Sequence, residues 1–339
     1  MSQTIDSVQG ESQIRPLVHI GLHKTASSWF QTCFYPHVRN RRTVDRVDVR
    51  RLLLGGTGYS FDATATREAL GLERPLILCD EDLSGILHNG GIVTTYLARA
   101  TAERIHAVAP DAEIILFVRA QVPMAAACYH QYVREGGTAS VRRYLFPENY
   151  RHLTKQRPFK TPRFDFAQFD YPGLIRCYDV LFGPARVHIF AYEAFARDPK
   201  GFLDKFAAYF GLDVRMGEIQ RPRVNSSYRW GTLAIARILN LFTARSVADK
   251  RVIIHIPYWY PIRKKLLQML DRLPLLGPRP NPEALLGDTV SAWIRGHFAD
   301  ANQHLAERMQ VDLQALGYAL DALPAPRPTR PAFLKALRN

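Results

Sequence analysis

Cysteine is scarce in this chain and scattered where it occurs. Cys33, Cys79, Cys128 and Cys177 form no C-x-x-C pair. That argues against a zinc site and against a disulfide framework, and it fits a reducing cytosol. No run of about 18 apolar residues is present, so no transmembrane helix is expected. Residues 1–14 are polar and lack an apolar stretch, so no secretory leader is expected either. Acids are short as well: 31 Asp and Glu stand against 45 Lys and Arg, a net charge of +14. The excess is local, since residues 221–280 hold twelve Arg or Lys and two acids, Asp249 and Asp271. Such a field either attracts an anionic partner or is a solvated face that keeps the protein soluble.

What is present reads as an α/β protein. Hydrophobic residues make up 47% of the 339 residues, which suits one large globular domain. Short apolar runs alternate with helical patterns, the signature of a central parallel sheet flanked by helices. Strands are expected at 17–21, 75–79, 113–118 and 186–190. Helices are expected at 27–37, 92–108, 121–134, 199–210, 228–242 and 287–311. The sharpest is 199–210, with Asp198 as N-cap, Pro199 at its first position and Gly211 after its end. The domain is expected over 15–322. It follows a disordered N-terminus, 1–14, and precedes a Pro-rich basic tail, 323–339. Residues 237–286 read as an irregular basic and aromatic region within it.

The most informative stretch is LVHIGLHKTASSWFQ, residues 17–31. An apolar strand runs into Gly21, and a turn with Lys24, Thr25, Ala26, Ser27 and Ser28 leads into a helix. Small hydroxyl residues and a lysine at a helix start make an anion site, because the first backbone N–H groups are free and carry partial positive charge. The turn is not a Walker A loop, which needs a second glycine before the lysine.

KTASSW, residues 24–29, resembles the 5′-phosphosulfate loop, K-[ST]-G-T-[TS]-W, of sulfotransferases that use 3′-phosphoadenosine 5′-phosphosulfate (PAPS). Ala26 stands where that family has glycine. Three further stretches resemble the same family: EIILFVRAQVPMAAACYHQYVREGG (113–137), VHIFAYEAFARDPKGFLDKFAAYFGL (187–212) and, more loosely, RPRVNSSYR (221–229). The resemblance implies a P-loop NTPase-like sulfotransferase fold. It also implies transfer of a sulfuryl group from PAPS to a hydroxyl acceptor.

On this resemblance Lys24 serves the bridging oxygen of the leaving group. Thr25, Ala26, Ser27, Ser28 and Trp29 form the 5′-phosphate loop, and Arg119 holds the 3′-phosphate. The family places a serine eight residues after that arginine; here the position is Ala127, with Cys128 beside it. Asn225 and Ser227 fall in the stretch that closes over the nucleotide. Glu81, just past the strand at 75–79, is the first candidate for a general base, flanked by Asp80 and Asp82; an N-cap cluster is the plainer reading. His23 is the second candidate. No metal is required.

The acceptor is expected to be a carbohydrate or glycolipid, on the strength of Glu81 and of the basic, aromatic segment 237–280. The same segment is expected to touch an anionic membrane surface. The expected location is the cytoplasm, peripheral to the inner face of the membrane, with no nucleic-acid partner. Two alternatives stay open: a P-loop nucleotide kinase or NTPase, since LILCDED (76–82) resembles a Walker B strand, and a non-catalytic anion-binding protein on a sulfotransferase scaffold.

Overall fold

The structure is a computed structural model, and it describes residues 14–88, 93–147, 164–219, 227–245, 247 and 250–328. Five strands form one parallel sheet: β1 (Leu17–His19), β2 (Arg42–Thr43), β3 (Leu76–Cys79), β4 (Glu113–Val118) and β5 (Val187–Ala191). Their order across the sheet is β2-β3-β1-β4-β5. Strand β1 is central: it lies between β3 and β4, with His19 opposite Cys79 on one side and Ile115 on the other.

Side chains alternate between the two faces of the sheet, as the period of two requires, and both faces are covered. Val18, Leu78, Ile114, Leu116 and Val118 point into one core. The helices Val93–Val108, Gln121–Arg134, Tyr171–Phe182 and Asp288–Met309 cover that face. Leu17, Ile77, Ile115 and Phe117 point into the other, against Phe30, Phe34 and Phe206. His19 shares this second face, fully buried, with its Nδ1 2.9 Å from the Tyr35 hydroxyl.

The α/β fold and its parallel sheet agree with the sequence reading, as do all four expected strands. The helix after Asp198 is capped as expected: the Asp198 carboxylate accepts from the Gly201 N–H at 3.0 Å, and Gly211 turns left-handed at φ 57°. Several elements differ: helices Ala63–Leu70 and Tyr171–Phe182 were not expected, and the helix expected at 27–37 is α-helical only over Ser27–Trp29 before it widens and then tightens. Strand β2 has two residues, too few to leave a periodic trace. The region 237–286 contains a regular helix, Trp259–Leu270, whose apolar residues are spread over more than one face. The tail from Leu323 is packed at its start: the Leu323 carbonyl lies over Gly296, and the Arg327 guanidinium sits 5.7 Å from the Trp293 ring. Among the described residues, no helix is long and apolar enough to cross a membrane.

Candidate functional site

The carboxyl ends of the parallel strands deliver their following residues to one edge, where open α/β sheets bind ligands. Gly21–Ser28 follows β1, Asp80–Asp82 follows β3, Arg119 follows β4, and Tyr192 follows β5. Together they open onto a cleft of about 1650 Å³. Nine Lys or Arg line it against four Asp or Glu, so the cleft is a positive well.

The loop after β1 is held in an unusual shape. Lys24 and Ala26 both adopt left-handed backbone, at φ 65° and 74°. Ala26 therefore occupies a conformation that glycine adopts without steric cost. The Thr25 hydroxyl closes the turn by donating to the Leu22 carbonyl at 2.6 Å, and Thr25 is fully buried. Its hydroxyl faces the loop's own backbone rather than the cleft. The helix opens at Ser27 without a side-chain cap, so Ser27 is its first residue rather than its N-cap. Ser27 and Ser28 line the cleft, as do Ala26 and the edge of Trp29, which packs 5.2 Å from Phe195. A methyl group on Gly21 would meet the Ser27 Cβ at 2.8 Å, which is why glycine stands there.

Arg119 is fixed from several sides. Its carbonyl accepts from the Tyr171 hydroxyl at 2.8 Å. Its Nη1 donates to the Lys24 carbonyl at 2.9 Å, tying β4 to the loop. Its guanidinium lies 4.6 Å from the centre of the Tyr192 ring. Its Nε is buried and has no hydrogen-bond partner among the described residues. The neighbouring Glu193 accepts from the Ala120 N–H at 3.0 Å and from the Tyr318 hydroxyl at 3.2 Å, so it steadies the start of the helix that Arg119 leads into.

Lys24 reaches along that helix, and its Nζ donates to Gln131 Oε1 at 3.3 Å. Burial, and then the charges of Arg134 and Arg119, press Lys24 below the usual lysine range. Among the described residues neither Lys24 nor Arg119 makes an ion pair. Gln131 donates in turn to Glu135, and Glu135 Oε2 lies 3.7 Å from His88 Nε2. Burial pushes Glu135 above the usual carboxylate range. Burial, with His23 and Lys24 nearby, holds His88 down to about 3. Among the described residues His88 Nε2 has no hydrogen-bond partner, while its Nδ1 faces the Tyr144 hydroxyl at 3.2 Å.

No family model matches the chain, and no curated protein matches it. A solved structure of a sulfotransferase from Alicyclobacillus acidocaldarius is similar to it. The two share 21% identity, with a TM-score of 0.44, over 63% of this chain and 87% of that one. A likeness that loose assigns nothing to the residues of the cleft, whose chemistry rests on its own geometry.

The carboxylates after β3 are already neutralised. Asp80 is fully buried, accepts from Arg46 Nε at 2.8 Å and Arg50 Nε at 2.7 Å, and caps the turn Glu81–Ser84. Glu81 pairs with Arg46 through Oε1, while its Oε2 faces the Ser27 hydroxyl at 3.4 Å and the Gln31 amide at 3.5 Å. Asp82 lies 2.5 Å from Arg50 Nη2. His23 Nε2 is 2.8 Å from the Gly85 carbonyl and 3.6 Å from Asp82. Among the described residues, His23, Glu81 and Asp82 bring ligand atoms within 4.8 Å of one another. A cation there would have to displace Arg46 and Arg50.

Other candidates fall differently. Ala127 is half-buried one turn before Gln131 on the same helix face, but it does not line the cleft. Cys128 points into the core, where burial pushes its thiol up to about 12. Ser227 is half-buried and outside the cleft lining, and Asn225 lies outside the described residues. Sequence reasoning missed Gln131, Arg134, Glu135 and His88. The first three had a readable signal, since they fall on the helical face that runs through Ala127. His88 had none.

Proposed function

We propose that this protein is a sulfotransferase that moves the sulfuryl group of PAPS to a hydroxyl acceptor. The observation that carries the reading is the meeting of Lys24, on the loop after β1, with Arg119, at the end of β4, neither of them ion-paired among the described residues. A nucleotide with phosphates at two ribose positions offers one anion to each. The orphaned Arg119 Nε and the depressed lysine both gain from an incoming anion. The KTASSW loop and the YE pair after β5 support the same reading.

Sulfuryl transfer resembles phosphoryl transfer, so the protein's work is positioning and charge stabilisation. In this reading Lys24 meets the charge that develops on the leaving oxygen, and Ser27 and Ser28 hold the 5′-phosphate. Glu81, engaged with Arg46, orients Ser27. The acceptor's proton goes to the pair Glu135 and His88, because a carboxylate held above its usual range suits a general base. The arginine pairing of Asp80, Glu81 and Asp82 weighs against a kinase, which needs those groups for Mg²⁺. The acceptor hydroxyl is that of a carbohydrate or glycolipid, which a wide polar cleft with Tyr228 and Tyr260 on its far wall accommodates.

A thermal-shift series with PAP (the desulfonated nucleotide), PAPS and Mg·ATP tests this. PAP at about 100 times its dissociation constant should add about 2.7 kcal/mol of stability. Equal or greater stabilisation by Mg·ATP would transfer the protein to the nucleotide-kinase class.

A further inference from the structure

The described residues expose twenty-one large apolar side chains, and nine of them fall between Val252 and Leu275. The segment that carries them is held firmly. The Ile253 N–H donates to the Leu241 carbonyl at 2.8 Å, and the Ile256 N–H to the Phe242 carbonyl at 3.1 Å. The Trp259 indole N–H donates to the Leu239 carbonyl at 3.0 Å. A fixed backbone thus presents Ile253 and Tyr258 outward, 72% and 84% exposed. Contiguous apolar exposure of this kind marks an interaction surface.

The helix Trp259–Leu270 continues the surface and divides its faces three ways. Arg263 and Leu267 are fully buried. Tyr260, Lys264 and Gln268, spaced by four, line the cleft. Ile262 and Met269, spaced by seven, are exposed beside Lys265. One helix therefore builds a wall of the cleft and an outward apolar face. Its charge is of one sign. From Lys250 to Leu276 there are six Lys or Arg and one acid, Asp271, which is buried against Arg279 at 2.8 Å. A second copy of so basic a face would be repelled. A partner that is both apolar and anionic fits, and a bilayer offers acyl chains beneath phosphate headgroups.

We infer that residues 250–276 dock on an anionic bilayer surface, with the isoleucines and Tyr258 entering the interface and Arg251, Lys265 and Arg272 meeting the headgroups. Because the same helix walls the cleft, docking brings the cleft mouth to the headgroup layer. This placement deepens the transfer reading by directing it toward acceptors carried on lipids, while the docking itself stands independently of it.

Co-sedimentation with phosphatidylcholine vesicles, with and without phosphatidylglycerol, is the test. Binding should require phosphatidylglycerol and fall at high salt. Arg251→Glu with Lys265→Glu should weaken it by roughly fivefold or more per cation. Ile253→Ser with Ile254→Ser should weaken it at least about tenfold. Both pairs are exposed, so the melting temperature and the PAP shift should stay unchanged. Binding indifferent to lipid charge, or unmoved by the isoleucine pair, overturns the proposal. So does dimerisation that the isoleucine pair abolishes in a protein that ignores vesicles. Vesicle binding without a PAP shift upholds docking and removes the transfer reading; a PAP shift without vesicle binding does the reverse.

Discussion

Arg119→Lys separates the two tasks assigned to this arginine. The lysine keeps the charge but loses the planar fork. The hydrogen bond to the Lys24 carbonyl is worth about 1 kcal/mol, and the contact with the Tyr192 ring about 1 kcal/mol. The fold should lose roughly 1–2 kcal/mol, a fall of about 1–3 °C in melting temperature for a chain of this size. The nucleotide loses more. Hydrogen bonds to a charged phosphate are worth about 1.5–3 kcal/mol, so PAP should bind roughly 10- to 150-fold more weakly. Adenosine 5′-phosphosulfate lacks the 3′-phosphate and meets Arg119 only through the loop. It should weaken about fivefold, the cost of the lost brace. Calorimetry with both ligands decides. Equal losses for the two would mean that Arg119 is a loop brace and does not touch the nucleotide. No loss for either would remove it from the site.

Lys24→Ala should slow sulfuryl transfer by on the order of 100-fold at nearly unchanged melting temperature, and normal turnover would end its proposed role. Glu135→Gln should lower kcat by about 100-fold or more with PAP affinity kept. Glu81→Gln should instead weaken PAP binding by disturbing Ser27, so steady-state rates beside calorimetry on both variants would expose a reversed assignment. Gly296→Ala puts a methyl 2.4 Å from the Leu323 carbonyl. It should cost about 1–3 kcal/mol in urea unfolding despite better helix propensity, and a gain in stability would mean the tail does not pack there. Burial holds His19 and His88 down to about 3 and His130 down to about 4, against an ordinary 6.5. The unfolded chain therefore takes up protons that the native state refuses, and stability falls as pH drops below 6.5. At about pH 5.5 each histidine removes about 1.4 kcal/mol. The raised carboxyls of Glu135 and Glu193 offset part of this loss, because the native state takes up their protons before the unfolded chain does as pH falls toward 4.5. A urea midpoint equal at pH 5.5 and neutral pH would refute this.

Much of the sheet was legible because its strands are short apolar runs closed by chemistry: β1 by Gly21, β3 by Asp80, β4 by Arg119. The helices with punctuation, such as the one after Asp198, were legible too. The helix Trp259–Leu270 was not, since a helix that faces core, cleft and solvent at once has no single apolar stripe. That the loop and Arg119 would be neighbours was readable, for strand ends in a parallel sheet share an edge. The wiring behind them was not. That Arg46 and Arg50 reach across to Asp80, or that His88 lies beside Glu135, depends on contacts between residues 30 to 47 positions apart, and no local pattern records them.

The left-handed turns at Lys24 and Ala26 have a thermodynamic consequence. Each non-glycine residue in that region costs about 1–2 kcal/mol, and the neighbouring contacts of Thr25 and Arg119 hold the cost in place. A glycine loop would wander when empty and forfeit that freedom on meeting its ligand. This loop has little freedom left to forfeit. Its association with an anion should carry a small entropic penalty and a rate set by diffusion and charge, with no slow ordering step before the first contact.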